Sequence, residues 1–128
     1  MRRDSGRILA IAGVLLALAT LLGAFGAHVL QTRLAPNRLS SFEVAVRYQF
    51  FHSLGLLCMG LAARSMDSAL LRWAAAFIVT GIVLFCGSLY ALSFNVSRAV
   101  GVVTPVGGLA LIGGWVLFAT ASWRTQDR

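Results

Sequence analysis

The side chains of this sequence that could do chemistry are few, and most of them lie inside or beside long apolar segments. His28 and His52 are the two histidines, and on facing helices such a pair could hold a haem or a quinone. At ~1.5 Å per residue, His28 lies ~3 Å from its predicted helix end and His52 lies ~8–12 Å deep, so a shared iron would require the helices to shift. Hydrogen-bonded structural histidines are therefore favoured, with the haem or quinone site as a lesser alternative. We expect no cofactor and no metal, because zinc needs more ligands than two histidines and Glu43 supply.

Glu43 and Arg47 are four residues apart, which places their opposite charges on one face of a helix. An ionised group at membrane depth is costly unless it is paired or hydrated, and so it marks a candidate functional site. Both residues also lie close to a predicted helix end, where an arginine can extend its guanidinium to the interface. A structural ion pair is favoured, and a role in a site stays open.

The composition defines the class of protein that must position these groups. The chain has 128 residues, of which 59% are hydrophobic and 12% charged, and its mean hydropathy is +0.83. A spanning helix needs ~20 apolar residues, so about four such helices fit, with short loops between them. This excludes a soluble enzyme domain and a disordered chain. The sequence also lacks the GxSxG, HExxH and phosphate-loop motifs, which argues against an enzyme and leaves no catalytic residue to name.

Four apolar segments predict an all-α fold, an integral membrane bundle of four antiparallel helices in one domain over residues 1–128. The helices are expected at about residues 8–30, 42–63, 73–94 and 99–123. Pro36-Asn37 predicts a turn, and the connection 31–41 has room for a short interfacial helix. Two pairs of small residues are expected to allow close helix packing: Gly23 with Ala27, and Gly87 with Ala91.

The charges are distributed as in a membrane protein. Eleven arginines, no lysine and four acids give a formal net charge of +7. Most of the arginines flank apolar segments, as cationic residues at membrane ends do, so we expect no nucleic-acid partner. If both termini are cytoplasmic, that side carries seven of the eleven arginines and the opposite side carries four. The positive-inside rule therefore favours cytoplasmic termini.

Antiparallel threading would bring the polar residues of all four predicted helices into one half of the membrane, which we call the polar end. The other half, including residues 54–63, 74–79 and 109–117, has almost no polar side chain. Because polar groups at membrane depth mark candidate sites, the polar end is predicted to hold a polar pocket. Its candidate residues are His28, Glu43, Arg47, Tyr48, Gln49, His52, Ser88, Tyr90, Thr104, Pro105 and Gly107.

Five short motifs follow one another along nearly the whole chain. They are Gly23-Ala24-Phe25-Gly26-Ala27-His28, Tyr48-Gln49-x-x-His52, Gly81-Ile82-x-x-Phe85-x-Gly87-Ser88-Leu89-Tyr90, Thr104-Pro105-x-Gly107-Gly108 and Gly114-Trp115. Together they resemble the domain of unknown function 423 family, small YgdD-like bacterial inner-membrane proteins with distant relatives described as transmembrane protein 256. The resemblance implies a four-helix, multi-pass protein of the bacterial inner membrane. It implies no reaction, since the family has no established activity to carry over.

Three functions fit these observations. The first is an accessory, assembly or lipid-contacting subunit, whose partners are membrane lipids and a larger membrane-protein complex or a homo-oligomer. The second is a small oligomeric transporter or channel, although the half of the bundle without polar residues argues against a continuous polar path through one monomer. The third is the haem or quinone site at His28 and His52, which predicts a coloured protein.

Overall fold

The computed structural model describes residues 2–127, and this part of the chain is helical with no strand. Its α-helices are α1 (Arg2–His28), α2 (Pro36–Ala62), α3 (Ala69–Gly81), α4 (Gly87–Ser93) and α5 (Val103–Gln126). A wider π-helical turn, Ile82–Cys86, joins α3 to α4, so Ala69–Ser93 forms one continuous rod. Short 3-10 turns lie before α2 (Leu30–Thr32) and before α5 (Arg98–Val102).

Three helical rods are long and apolar enough to cross a membrane: Arg3–Thr32, Ala69–Ser93 and Arg98–Gln126. Helix α2 has the same 27-residue length as α1. It is less apolar, because its first half carries polar residues such as Glu43, Arg47 and Gln49. The chain is therefore an all-helical transmembrane protein, as its composition predicts.

Helix α2 begins at Pro36, six residues before the predicted start at about 42. Proline suits the first turn of a helix because its φ is already helical and its missing N–H would have no partner there. Ala35 before it is extended, with ψ 150°, as the residue preceding a proline prefers. Pro36-Asn37 thus opens a helix, and the connection before it contains the single turn Leu30–Thr32.

The start of α1, the end of α4 and the start of α5 are also determined by their own residues and not by apolarity alone. Helix α1 begins at Arg2, before the predicted start at 8, because arginine is a good helix former although it is not apolar. Asn95 has a φ of 58°, a left-handed conformation that asparagine tolerates, and it follows the end of α4. The N–H of Ala99 donates to Ser97 Oγ at 3.3 Å, which caps the 3-10 turn before α5.

Helix α1 packs on α2, and α5 packs on α3 and the π-helical turn, while α2 joins the two pairs through α4 and that turn. Glycines lie at the closest approaches. A Cβ at Gly60 would be 2.7 Å from Leu9 Cδ2, and a Cβ at Gly114 would be 2.8 Å from Ile78 Cδ1. In lipid no hydrophobic force drives helices together, so small residues that let backbones approach determine where they pack.

The two predicted pairs of small packing residues differ in their surroundings. Gly23 faces α2, where a Cβ would lie 3.4 Å from Val46 Cγ1. Gly87 is exposed, and a Cβ there would meet nothing within 4 Å, so it makes no close helix contact in the described chain. The close contacts between the rod and α5 lie instead at Gly81 of the rod, which meets Leu111, and at Gly107 of α5, which meets the π-helical turn.

Candidate functional site

Gln49 is the central polar residue of the polar end. Its side chain is 4% exposed, its Nε2 donates to the Leu15 carbonyl of α1 at 2.8 Å, and its Oε1 accepts from the Tyr90 hydroxyl of α4 at 2.7 Å. An unbonded amide at this depth would be costly, so both ends of Gln49 are satisfied by helices that lie on either side of α2. Gln49 therefore connects α1, α2 and α4.

Ser88 and Thr104 form a second polar contact, between α4 and α5. Their hydroxyl oxygens are 2.6 Å apart, and Ser88 Oγ also donates to the Phe85 carbonyl at 2.9 Å. A serine hydroxyl has one proton, which this carbonyl receives, so Thr104 is the donor to Ser88. The pair joins the start of α5 to α4 just after the π-helical turn.

Gly107 allows the backbone of α5 to rest directly on the π-helical turn. A Cβ there would collide with the Phe85 backbone N and would lie 2.9 Å from the Leu84 carbonyl carbon. Pro105 is exposed in the first turn of α5, where its missing N–H leaves no donor unsatisfied. The Thr104–Gly107 segment thus serves the contact between α5 and the π-helical turn.

Tyr48 and His52 form an aromatic group on the face of α2 towards Phe85 and Trp115. The Tyr48 ring centroid lies 4.7 Å from that of Phe85 and 5.6 Å from that of His52, and the His52 ring lies 6.1 Å from Trp115. His52 Nδ1 is 2.8 Å from the Tyr48 carbonyl oxygen. A carbonyl only accepts, so Nδ1 carries the proton, and Nε2 is the nitrogen with a lone pair to offer a ligand.

Glu43 and Arg47 do not form the ion pair that their spacing allows. The ion pair of the described residues is between Arg72 and Asp67, at 3.3 Å. Both Glu43 and Arg47 are exposed, and an exposed pair gains too little to hold two long side chains together. They line a cavity of about 240 Å³ with residues of both α1 and α2. Its other lining residues are Gly23, Gly26, Ala27, Phe42 and Val46.

His28 is exposed at the end of α1 and takes part in neither hydrogen-bonded contact. The structure thus joins Gln49 to Tyr90, Ser88 to Thr104 and Tyr48 to His52, while His28, Glu43 and Arg47 stay outside these groups. Among residues 2–127 there is no group of three or more metal-ligating side chains. The bonded groups can hold helices together, whereas the exposed ones can meet a molecule from outside.

Ser53 is a buried polar residue that the sequence reasoning missed. It is fully buried one turn after Gln49, and its Oγ is without a hydrogen-bond partner in the described residues. The signal in the sequence was its i, i+4 spacing from Gln49, which places both on one face of α2.

Comparison with known proteins identifies relatives but no reaction. The family described as Protein of unknown function (DUF423) matches residues 22–108, which is more than half of the chain. A UPF0382 membrane protein of Staphylococcus haemolyticus is 39% identical over 102 residues, covering 80% of this chain and 83% of the relative. The UPF0382 inner membrane protein YgdD of Escherichia coli K12 is 36% identical over 107 residues, covering 84% and 82%. No solved structure matches.

Proposed function

The chain belongs to the DUF423 family, and from that premise we propose that it is a non-catalytic accessory or assembly subunit of a bacterial inner-membrane complex. In this proposal four antiparallel helices span the membrane and both termini are cytoplasmic. The protein contributes a rigid surface to a partner and carries out no reaction itself.

The observation that carries the proposal is that polar side chains of the helices bond to one another inside the chain. Gln49 with Tyr90 and Ser88 with Thr104 are bonded inside the chain. Large apolar side chains face outwards instead, with Leu21 67% exposed and Leu109 70% exposed on opposite helix pairs. A chain suits a scaffold better than a transport path when its polar groups bond its own helices together and its outer surface is apolar.

The membrane arrangement has its own support. Helix α2 is 27 residues long, or ~40 Å at 1.5 Å per residue, which exceeds the ~30 Å hydrocarbon core. Its polar first half is covered where Gln49 meets α1 and α4, so α2 is proposed as the fourth span. The excess of arginines on the side of the termini, seven against four, supports the cytoplasmic orientation.

The exposed members of the predicted polar pocket are proposed as the partner contact. Glu43 and Arg47 line the cavity of about 240 Å³ beside α1, and neither is paired within the described residues. A charge at this depth favours a position next to water, a headgroup or a complementary group of another protein. Tyr48, at 39% exposed, extends this surface along α2.

The test is to extract the tagged protein in polymer-bounded membrane discs without detergent and to identify by mass spectrometry what accompanies it. A stoichiometric protein partner that is lost with Arg47→Gln but retained with Arg98→Gln, an exposed arginine outside the cavity, is the expected result. A homo-oligomer that carries only lipid, with solute flux in vesicles that depends on His52, would overturn the proposal and favour a transporter. A Soret band in the absorbance spectrum would instead favour the haem site.

A further inference from the structure

A second cavity lies between the N-terminal part of α1 and helix α3, away from the polar end. It measures about 370 Å³, and its lining includes Asp4, Arg7 and Ile11 of α1, Leu56 of α2, and Arg72 and Val79 of α3. Ile11 and Gly23, which line the two cavities along α1, are twelve residues apart, or ~18 Å. The two cavities are therefore separate.

This groove is present because α1 packs against α2 and leaves a gap beside α3. Ser5 Oγ donates to the Gly60 carbonyl of α2 at 2.7 Å, and Ser5 is 2% exposed. Gly60 also admits Leu9 of α1 into close contact. Helix α1 is thus drawn onto the end of α2 rather than onto α3. The α3 wall consists partly of Ala75 and Ala76, whose small side chains leave the space between α1 and α3 unfilled.

The charged residues of the groove lie at one end of it, and the apolar residues lie along the rest. Arg7 and Arg72 lie towards the starts of their helices, and the lining from there to Thr80 is apolar. From Arg72 to Thr80 the helix rises ~12 Å. Asp4 also lines the groove and offsets one of the two positive charges, and Arg72 pairs with Asp67 at 3.3 Å. That pair is 50% and 64% exposed, so it is weak and can be exchanged for another anion.

The charge around the groove remains cationic when the acids are included. By sequence, this end of the helices carries seven arginines, Arg7 and Arg72 among them, against Asp4, Asp67 and Asp127, which leaves four positive charges in excess. Basic pockets between membrane helices bind the headgroups of anionic lipids. The groove has two arginines at one end and apolar side chains along the rest. It therefore suits a phospholipid, which has an anionic headgroup and acyl chains.

We propose that this groove binds one anionic phospholipid of the surrounding bilayer, its phosphate between Arg7 and Arg72 and one acyl chain beside Ile11 and Val79. Acyl chains alone do not distinguish the groove from bulk lipid, so the arginines determine which lipid is selected. This site is independent of the proposed partner contact, because it uses neither the cavity at Glu43 nor any residue of the polar end. In the proposed orientation it lies in the cytoplasmic leaflet, where anionic lipids are concentrated.

The test uses the full chain reconstituted in vesicles of equal parts phosphatidylglycerol and phosphatidylcholine. Native mass spectrometry then measures the ratio of the two lipids that remain bound. The native chain is expected to retain one phosphatidylglycerol. An arginine near a membrane surface contributes about 1 kcal/mol to binding an anionic lipid, so Arg7→Gln and Arg72→Gln should each lower the ratio about fivefold. The double variant Arg7→Gln with Arg72→Gln should lower the ratio further than either single variant, whereas the double variant Arg33→Gln with Arg98→Gln removes the same total charge elsewhere and should leave the ratio unchanged.

A second pair of variants tests the apolar part of the groove without changing its charge. Ala76→Phe places a ring in the groove and should abolish retention of the lipid, whereas Ala10→Phe, also at an exposed alanine but outside the lining, should not. A native chain that retains the two lipids in their bulk ratio would overturn the proposal. Equal losses in the two arginine doubles, or a stable dimer that excludes lipid from the groove, would do the same. Recovery of the protein partner in the Arg7→Gln chain is expected to be unaffected, which separates this test from that of the proposed function.

Discussion

Gly107 offers the most direct test of how α5 packs, because the glycine beside it is a matched control. A Cβ at Gly107 would lie 2.8 Å from Phe85 Cα and 2.9 Å from the Leu84 carbonyl carbon, and would also collide with the Phe85 N. These are backbone atoms, which cannot turn away as the end of a side chain can. A Cβ at Gly108 would meet only the Phe85 ring, at 3.8 Å, which is ordinary contact.

Two effects of opposite sign determine how a glycine-to-alanine substitution changes the free energy of unfolding. Alanine in place of a helical glycine stabilises a protein by ~0.5–1 kcal/mol, because it restricts the unfolded chain. Overpacking costs ~1–3 kcal/mol, and a collision with backbone belongs at the upper end of that range. Gly107→Ala is therefore expected to lower the free energy of unfolding by about 2 kcal/mol, whereas Gly108→Ala should raise it by about 0.5–1 kcal/mol.

The assay is reversible unfolding in mixed micelles, in which SDS is titrated into a mild detergent and helix content is followed by circular dichroism. The two variants carry the same substitution at adjacent positions, so effects of the detergent on both proteins cancel in the comparison. A Gly107→Ala protein that is as stable as the Gly108→Ala protein would refute the close contact between α5 and the π-helical turn.

The remaining predictions use the same unfolding assay. Gln49→Leu removes two hydrogen bonds between helices and leaves the Tyr90 hydroxyl without its partner, so it should destabilise the chain by about 1–3 kcal/mol, while Tyr90→Phe, which removes one bond, should cost about 0.6 kcal/mol. Costs that are equal for the two would show that Gln49 does not connect three helices. Ser53→Ala removes a buried hydroxyl that has no partner and should stabilise the chain by up to about 1 kcal/mol, so a loss of stability would reveal a partner absent from the described contacts. Arg72→Gln removes an exposed ion pair with Asp67 and should change stability by less than about 1 kcal/mol, and a larger effect would mean that the pair is shielded from water.

The helices could be predicted from the sequence because the property that defines them is local. A run of about 20 apolar residues predicts a span whatever its neighbours are. Apolarity alone predicts the start of α2 at about residue 42, whereas Pro36 begins the helix six residues earlier. The start of a membrane helix depends on backbone chemistry, which a hydropathy pattern does not record.

The contacts between the helices could be predicted only as a group. Depth along each helix predicts Gln49, Ser88, Tyr90 and Thr104 at one end, and in the structure Gln49 bonds to Tyr90 and Ser88 bonds to Thr104, as two separate pairs. Depth says nothing about rotation around the helix axis, however, and rotation determines which pairs meet. The π-helical turn Ile82–Cys86 changes that rotation for the residues after it, and no pattern in its own residues indicates it.

The division between bonded and unbonded polar groups determines how function should be sought in this protein. The bonded polar side chains donate to and accept from one another and the backbone, so replacing them changes the packing of the helices first. They are Gln49, Tyr90, Ser88 and Thr104. A loss of activity in such variants would report instability and would say nothing about a ligand. Arg47 faces a cavity and has no ion pair in the described chain, so replacing it leaves the helix contacts intact. A phenotype of Arg47→Gln with unchanged stability would therefore identify a contact with another molecule, and this is the class of variant with which a functional screen should begin.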